Sequence, residues 1–429
     1  MKPLTPPGEL KRVERLVVSL EGRKVGELSH AGARGIYFTY DREWLATGFN
    51  LSPLSMTFDD APRRAQDALF QGLHGPFADS LPDGWGHLLM DRFYNTVYGP
   101  GTSRALTPLD RLAYMGDRAM GALTYHPAAD HDQLTGHVDI GRLFAASMEV
   151  QADDTAAVLT TLRLAGGSPG GARPKAIVSI SPDGARAVSA FGAHPVGFVP
   201  SIVKFRALDE PWETGRIEHA YALMATQAGV EMASSRLLDV TLDDGSTESL
   251  FTTRRFDRDG DRRIHMMTAS ALLYADFRLP SMDYGDLLKL TDALTRSAGE
   301  VEKMARLMVF NALSHNFDDH TKNFSYLWKA DDRGAQRWTL SPAYDLTFST
   351  ARGEHSTSFV GRGKPTRALI RQLCGEFRYL RADDMIDQTL SVLAQWKDVF
   401  ASVGIPEHAG EGMFRLVAAD HAAFERTAR

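Results

Sequence analysis

Thirteen residues, HNFDDHTKNFSYL at positions 315–327, place two aspartates, two histidines, two asparagines and a lysine between two apolar patterns. Before them, Val301, Met304 and Met308 follow helical spacing, which predicts a buried helix that ends near His315. After them, an aromatic stretch predicts a core strand. Charged and polar groups are costly to bury unless each finds a partner. Their density where a core helix meets a core strand therefore predicts a chemical site.

The spacing of the polar residues indicates which reaction such a site could perform. Asp318 and Asn323 are five positions apart, and a second acid, Asp345 in SPAYDL, follows an apparent hairpin of NFSYLW and RWTLS. An acid, an amide and a second acid in this order are typical of the catalytic loop of phosphoryl-transfer kinases. One carboxylate accepts the proton of the attacking hydroxyl, while the amide oxygen and the second carboxylate hold Mg²⁺.

Two other interpretations of the stretch stay open at this point. Aspartate and asparagine are common in loops because they cap helices and form turns. Alternatively, His315, Asp318, Asp319 and His320 could form the metal site of a hydrolase. Adjacent residues on a short loop seldom converge on one ion, which weighs against that site.

The kinase interpretation requires a phosphate loop and a strand lysine earlier in the chain, and both patterns are present. LAGGSPGGARPKA at 164–176 surrounds a serine with glycines and leads into the strand pattern AIVSIS. Glycine lets backbone N–H groups approach phosphate oxygens closely. Lys204 in SIVKF is predicted to lie mid-strand among apolar neighbours, and Glu218 in the next helix could pair with it. Each pattern also has a purely structural interpretation. The glycine-rich stretch could be a flexible turn, Lys204 could point outward from an edge strand, and Glu218 could interact with the helix dipole.

The chain of 429 residues is too long for one ordinary core, and its patterns change along its length. A mixed α/β unit comes first, then a β-rich lobe with one helix, and then a mostly helical lobe. The net charge of −6 gives no overall attraction to nucleic acid or anionic lipid. One cysteine and no long apolar run at the N-terminus predict a cytoplasmic protein without a membrane segment.

In this order, the motifs resemble those of the HipA-type serine/threonine kinase toxins of type II toxin–antitoxin systems. DDHTKNFSYL and LSPAYDL are similar to the family's catalytic and metal-binding segments, GGARPKA to its phosphate loop, and RRFDR to its hinge. VVSLEGRKVGELSH and DSLPDGWGHLLMDR resemble its N-terminal subdomain. The resemblance implies a bilobal, protein-kinase-like α+β fold. Its expected parts are an extra N-terminal α/β subdomain at 1–125, a kinase N-lobe at 126–258 and a helical C-lobe at 259–429.

The resemblance also implies roles for single residues. Asp318 would be the catalytic acid/base, and Asn323 and Asp345 would be the Mg²⁺ ligands. Ser168 would be both part of the nucleotide site and the residue at which the protein phosphorylates itself. The implied ATP-binding residues are Ser168, Gly170, Gly171, Ala172, Lys175, Lys204, Phe256 and Lys322. The sequence departs from the family pattern at Arg173, where glutamine is common, and at Arg254, where glutamate is common.

The implied partners are a helix-turn-helix antitoxin like HipB and a protein substrate such as an aminoacyl-tRNA synthetase. DNA would be reached only through the antitoxin complex. A basic stretch, GRGKPTRALIRQLCGEFRYLR, supplies candidate DNA contacts at Arg367 and Arg371, in a helix that Thr366 would cap. Two alternatives to a protein kinase remain, namely a small-molecule kinase and a kinase-fold scaffold that has lost catalysis.

Overall fold

A computed structural model of the protein describes residues 10–65, 69–129, 136–152, 162, 171–191, 195–331, 333–351 and 353–426. The chain forms two compact units. The first unit contains Met1–Pro211 and Leu238–Met267, and the second contains Trp212–Leu237 and Thr268–Arg429. The chain therefore enters the second unit for one short stretch before it returns to complete the first.

The first unit is rich in strands. Its helices are α1 (Arg42–Thr47), α2 (Gly75–Ala78), α3 (Gly84–Tyr98), α4 (Pro108–Met115) and α5 (Ile140–Gln151). Its strands, of which β10 crosses the boundary between the units and β14 ends at it, are β1 (Arg15–Leu20), β2 (Arg23–His30), β3 (Ile36–Tyr40), β4 (Arg63–Arg64), β5 (Leu123–His126), β6 (His137–Val138), β7 (Lys175–Ile180), β8 (Ala187–Ser189), β9 (Val199–Lys204), β10 (Ser235–Thr241), β11 (Thr247–Arg254), β12 (Arg258–Asp259), β13 (Arg262–Arg263) and β14 (His265–Thr268).

The N-terminal strands form a β-meander. The antiparallel sheet has the order β4-β3-β2-β1-β5, with a register shift between Val18 and Ser19. Alternate residues such as Leu16 and Val18 are fully buried, as a sheet with one covered face requires. Phe77 of α2 and Leu112 of α4 belong to the same apolar cluster and cover that face.

A second sheet carries Lys175 and Lys204, two of the residues predicted to bind ATP. Its order is β10-β11-β9-β7-β8-β6, and every residue of β7 is buried. Trp85 and Leu89 of α3 belong to the same cluster as Val178 of β7 and Val203 of β9. Helix α5 contributes Leu143 and Phe144 to the same cluster.

The second unit is mostly helical. Its helices are α6 (Thr214–Gln227), α7 (Ala269–Leu273), α8 (Tyr284–Thr295), α9 (Ala298–Leu313), α10 (Arg367–Gly375), α11 (Ala382–Leu393), α12 (Trp396–Ser402) and α13 (Glu407–Phe424). Its short strands are β15 (Met282–Asp283), β16 (Ser325–Ala330), β17 (Gln336–Leu340) and β18 (Thr357–Ser358). A single 3-10 turn, Thr321–Asn323, lies between α9 and β16.

Several sequence expectations about the second unit are confirmed. Helix α9 ends at Leu313, just before His315, and β16 pairs antiparallel with β17 as a hairpin. Thr366 caps α10 by accepting a hydrogen bond from the backbone N–H of Leu369. No helix within the described ranges is long and apolar enough to cross a membrane.

Candidate active site

The segment between α9 and the 3-10 turn presents one side chain to solvent. Residues 314–317 and residue 319 are all buried, whereas Asp318 is exposed. The Asn323 side chain turns back and donates a hydrogen bond from Nδ2 to the Asp318 carbonyl oxygen at 2.7 Å. The carbonyl of Phe317, on the other side, accepts one from the backbone N–H of Ser356 at 3.0 Å. Asp318 therefore projects from a backbone that is fixed before and after it.

The hairpin of β16 and β17 brings Asp345 back to the same segment. The backbone N–H of Ser341 donates to the carbonyl of Ser325, which continues the ladder beyond β17. The Tyr344 hydroxyl then donates to the carbonyl oxygen of Lys322 at 2.6 Å. The residue before Asp345 is thus bonded to the residue before Asn323.

The backbone of Asp345 is strained. Its φ is 59°, in the left-handed region that non-glycine residues seldom adopt. Such a conformation costs of order 1–3 kcal/mol and persists only where the surrounding contacts impose it. Strain of this kind clusters at functional sites, which is consistent with a ligand role for the Asp345 carboxylate.

The donor set suits a hard cation. Because the Asn323 Nδ2 is used by the Asp318 carbonyl, the amide oxygen Oδ1 is the atom left for a ligand. A carboxylate and a neutral amide oxygen are ligands that Mg²⁺ accepts, with ATP phosphates completing the shell. The residues present therefore fit a Mg²⁺ ion that is bound together with ATP.

The contacts disfavour the hydrolase site built from the same stretch. The ring Nδ1 of His315 lies 2.5 Å from Asp420 Oδ2, and the ring stacks on Phe348. The oxygens of Asp319 accept hydrogen bonds from other side chains and from the backbone. His320 packs edge-on against Phe277. Over the described ranges, no group of three or more His, Cys, Asp or Glu side chains could hold a metal ion.

Two lysines lie side by side on neighbouring strands of the second sheet. Lys175 opens β7, Lys204 closes β9, and the antiparallel register places them directly opposite each other. Lys175 is buried and Lys204 is half-buried, with its Nζ 5.6 Å from the centroid of the Phe251 ring. Directly opposed residues point to the same face, and like charges there are destabilising. Two ammonium groups on one face of the sheet form a basic patch that would attract an anion such as a phosphate.

This register corrects one detail of the sequence analysis. Lys204 was expected mid-strand, but it is the last residue of β9. Lys175, in turn, lies within the strand that the glycine loop was expected to open into. Glu218 is buried within α6, and its pairing with Lys204 stays a prediction.

The end of the glycine loop contacts the N-terminal subdomain. The backbone N–H of Trp85 donates to the carbonyl of Gly171 at 3.1 Å. Gly84 has φ +45°, and a Cβ there would lie 2.3 Å from the Gly171 oxygen. A Cβ on Gly171 itself would lie 2.7 Å from Lys175 Nζ. Gly84 is therefore required by its close approach to backbone atoms of the loop. At Gly171 the end of the Lys175 side chain can move aside, and the positive φ of +84° is what favours glycine. Asp83 occupies the N-cap position of α3 without a side-chain capping hydrogen bond.

The other residues predicted to bind ATP are described one by one, each within its own unit. Ala172 is exposed, and Arg173, the departure from the family pattern, donates from Nε to Glu210 at 2.6 Å. Ser168 and Gly170 lie outside the described residues. Phe256 is half-buried, and Lys322 has its Nζ 4.4 Å from the centroid of the Phe277 ring.

A buried ion cluster fixes the backbone around Phe256. Arg255 donates to both oxygens of Asp257 at 2.9 and 2.8 Å, and Arg258 donates to Oδ2 at 2.8 Å. The backbone N–H of Gly121 adds a further bond at 2.7 Å. Burial alone would raise the pKa of Asp257, but the two guanidinium charges outweigh it and hold the pKa well below its usual range. The carboxylate is therefore charged at neutral pH.

The two candidate DNA-contacting arginines already have acidic partners. Arg367 pairs with Asp383, Asp387 and Glu425, and its side chain is 20% exposed. Arg371 pairs with Asp383, and its side chain is 56% exposed. These ion pairs leave Arg371 more accessible than Arg367, and a DNA contact by either stays a prediction.

Sequence reasoning missed residues whose importance depends on partners far along the chain. Asp319 was weighed only as a metal ligand, and His355 and Tyr344 were not singled out. Yet His355 bonds to Asp319 and Tyr344 bonds to Lys322, both within residues 315–323, the candidate catalytic segment. The pairing of Lys175 with Lys204 across β7 and β9 could not be predicted from the sequence either. Its only sequence signal is that each lysine borders an apolar strand pattern.

Comparisons with known proteins agree with this architecture. The chain matches the HipA-like C-terminal domain at residues 167–399 and the HipA N-terminal domain at residues 16–126. The first match alone covers more than half of the sequence. The chain has the expected α+β architecture, with helices and strands in both units. The chain belongs to the HipA family.

Solved structures are similar to the chain at low sequence identity. One is HipA in the Shewanella oneidensis MR-1 complex of HipA, HipB and operator DNA, with 16% identity and a TM-score of 0.65 over 95% of this chain and 96% of that one. The fold match rests on it. The Helicobacter pylori proinflammatory kinase CtkA has 12% identity and a TM-score of 0.37 over 53% of this chain and 85% of that one. No curated protein matches the chain.

Proposed function

We propose that the protein is an ATP- and Mg²⁺-dependent serine/threonine protein kinase that acts as the toxin of a toxin–antitoxin pair. One observation carries the proposal. Asp318 is the exposed residue of a buried segment whose backbone is bonded on both sides, and the same turn and hairpin hold Asn323 and Asp345. Membership of the HipA family supports the toxin role, and the kinase-like fold supports phosphoryl transfer.

In the proposed reaction, the hydroxyl oxygen of a serine or threonine attacks the γ-phosphorus of ATP while Asp318 accepts the hydroxyl proton. ADP leaves as the new P–O bond forms. Asn323 Oδ1 and the Asp345 carboxylate would hold Mg²⁺, which would neutralise charge on the phosphates. Lys175 and Lys204 add two positive charges on one face of the sheet. Backbone N–H groups at Ser168, Gly170, Gly171 and Ala172 contact the phosphates, Phe256 lies near the adenine, and Lys322 contacts the nucleotide.

The proposed partners follow from the family. The Shewanella structure contains HipA, HipB and operator DNA, which supports a HipB-like antitoxin and contact with DNA through that complex. The substrate would be a protein of translation, such as an aminoacyl-tRNA synthetase. The protein would also phosphorylate itself at Ser168. A phosphate there adds roughly −1.5 to −2 charges beside the ATP phosphates, so we expect it to stop turnover.

The test compares the parent protein with Asp318→Asn. Asparagine keeps the size of the side chain but cannot accept the hydroxyl proton, so phosphate transfer in a single turnover should fall by about 10²- to 10⁴-fold. Binding of Mg²⁺-ATP should stay within about threefold of the parent value, because Asp318 is not among the proposed ligands. Phosphopeptide mass spectrometry should find phosphate on Ser168 in the parent and none in Asp318→Asn.

Other outcomes would favour the alternatives. Transfer by Asp318→Asn within tenfold of the parent rate would contradict the catalytic role of Asp318. ATP turnover that labels a small-molecule alcohol but no protein would indicate a small-molecule kinase. Antitoxin binding by a protein that neither binds nor hydrolyses ATP would indicate a scaffold.

A further inference from the structure

Asp319, the neighbour of the proposed catalytic residue, is fully buried and saturated with hydrogen bonds. Its Oδ2 accepts from the Tyr284 hydroxyl at 2.7 Å and from His355 Nδ1 at 2.8 Å. Its Oδ1 accepts from the backbone N–H of Ser356 at 2.8 Å and of Thr357 at 3.2 Å. A buried carboxylate is tolerated only when its lone pairs are used in this way.

The partners of Asp319 are themselves fixed. Tyr284 is the first residue of α8, and its hydroxyl also receives a hydrogen bond from Asn311 Nδ2 at 2.9 Å. The oxygen of Asn311 receives one from Asn316 Nδ2 at 3.0 Å. Burial, followed by the charge of Asp319, raises the pKa of Tyr284 well above its usual value, so the phenol stays a donor. The network joins α8, α9 and residues 355–357 to the catalytic segment.

This network acts on both sides of Asp318. The backbone N–H of Ser356 reaches the carbonyl of Phe317 as well as Asp319 Oδ1. The residues before and after Asp318 are thus held by one short segment, while Asp318 projects outward. A hydrophobic residue of similar size would serve packing alone without the cost of a buried charge. The buried carboxylate of Asp319 is explained if it fixes the backbone of Asp318.

We propose that Asp319 and His355 are positioning residues that hold the Asp318 carboxylate where it receives the hydroxyl proton. This inference rests on the proposed kinase function and adds two residues to it. Misplacement of a reacting group by about 1 Å can cost 10²-fold in rate. Neither residue contacts substrate in this assignment, so each acts only through Asp318.

His355 allows the sharpest test, because a single atom carries its role. Nδ1 donates to Asp319, whereas Nε2 is buried and has no hydrogen-bond partner among the described residues. His355→Asn places an amide N–H near the position of Nδ1. His355→Leu fills similar space without a donor. The pair therefore separates the hydrogen bond from the packing.

His265 provides a matched control. It is also buried and donates a hydrogen bond from Nε2 to the carbonyl of Leu51 at 3.0 Å, but it lies in the first unit. His265→Leu should lower the melting temperature as His355→Leu does. It should leave the rate of phosphate transfer unchanged.

The experiment measures single-turnover transfer and Mg²⁺-ATP affinity in the full chain. Asp319→Asn and His355→Leu should each slow transfer by about 10- to 100-fold, the usual effect of removing a supporting hydrogen bond at a site. Affinity for Mg²⁺-ATP should stay within about threefold, and His355→Asn should recover most of the loss. In an Asp318→Asn background, His355→Leu should have no further effect, because the residue it positions is already gone.

Three results would overturn the inference: His355→Leu at the parent rate, His355→Asn as slow as His355→Leu, or the same loss with and without Asp318. If the parent transfers no phosphate, the proposed function fails separately. Amide hydrogen exchange at residues 318–323 then decides the positioning role. Faster exchange in His355→Leu than in His355→Asn supports it, and equal protection contradicts it.

Discussion

The end of the glycine loop in the first unit and the catalytic segment in the second are held in opposite ways. Gly171 is held by one backbone hydrogen bond from Trp85 and by the absence of side chains on Gly84 and on itself. Asp318 is held by the buried Asn323 side chain, which donates to its carbonyl, and by the buried Asp319 side chain next to it, which accepts from the backbone of Ser356. A loop without side chains lets its backbone come close to a phosphate. A carboxylate proposed to react needs donors that are already fixed around it.

The largest expected effect in this comparison concerns the metal ligand of the catalytic segment. Asp345→Ala removes the charged oxygen, so Asn323 would offer Mg²⁺ only a neutral one. Even residues that merely support a ligand cost 10- to 100-fold in metal affinity, and we expect at least about 100-fold weaker Mg²⁺-dependent ATP binding. Isothermal titration with and without Mg²⁺ measures it.

Asp345→Asn is the matched control for that change. Asparagine tolerates the left-handed backbone of this position, with φ 59°, and keeps one oxygen. It should therefore fall between the parent and Asp345→Ala. Equal Mg²⁺-ATP affinity in all three proteins would place the metal site elsewhere.

A smaller effect is expected from the glycine contact in the first unit. Gly84→Ala introduces a Cβ that would lie 2.3 Å from the Gly171 oxygen, so the end of the loop must shift. Overpacking of this kind costs typically 1–3 kcal/mol. We expect ATP affinity to fall by about tenfold, measured by titration.

Gly260→Ala separates the clash from the backbone strain. Gly260 also has positive φ, +57°, but nothing lies within 4 Å of a Cβ at that position. It should lower stability slightly and leave ATP affinity unchanged. If both variants bind ATP equally well, the contact between Gly84 and Gly171 does not shape the phosphate site.

The smallest effect concerns the basic helix α10. Arg371 is the more exposed of the two candidate arginines, so Arg371→Ala should lower the salt slope of operator binding by the antitoxin complex by about one unit. Arg367→Ala should instead reduce stability by roughly 1 kcal/mol or less, because it removes surface ion pairs. A slope unchanged by Arg371→Ala, with the complex assembled, would leave this arginine as an intramolecular partner.

Much of the fold could be predicted from local patterns, and long-range pairing could not. The end of α9, the hairpin of β16 and β17 and the cap at Thr366 follow from spacing and residue type within a few positions. The opposition of Lys175 and Lys204 depends on strand register, which a one-residue slip would change. The partnership of Asp319 with His355 joins residues 36 positions apart, and nothing local marks it.

The contact between His315 and Asp420 has a consequence for the order in which the protein becomes active during synthesis. Domains fold largely as units while the chain is made from its N-terminus. Trp85 and Gly171 are both available early, so the end of the phosphate loop can be set long before translation finishes. The catalytic segment waits for α13, because Asp420, 105 positions after His315, supplies the side-chain partner that holds that ring. A nascent chain can thus have the contact between Trp85 and Gly171 while residues 315–323 still lack one of their partners. In the proposed kinase, phosphate transfer would then begin only after α13 has folded.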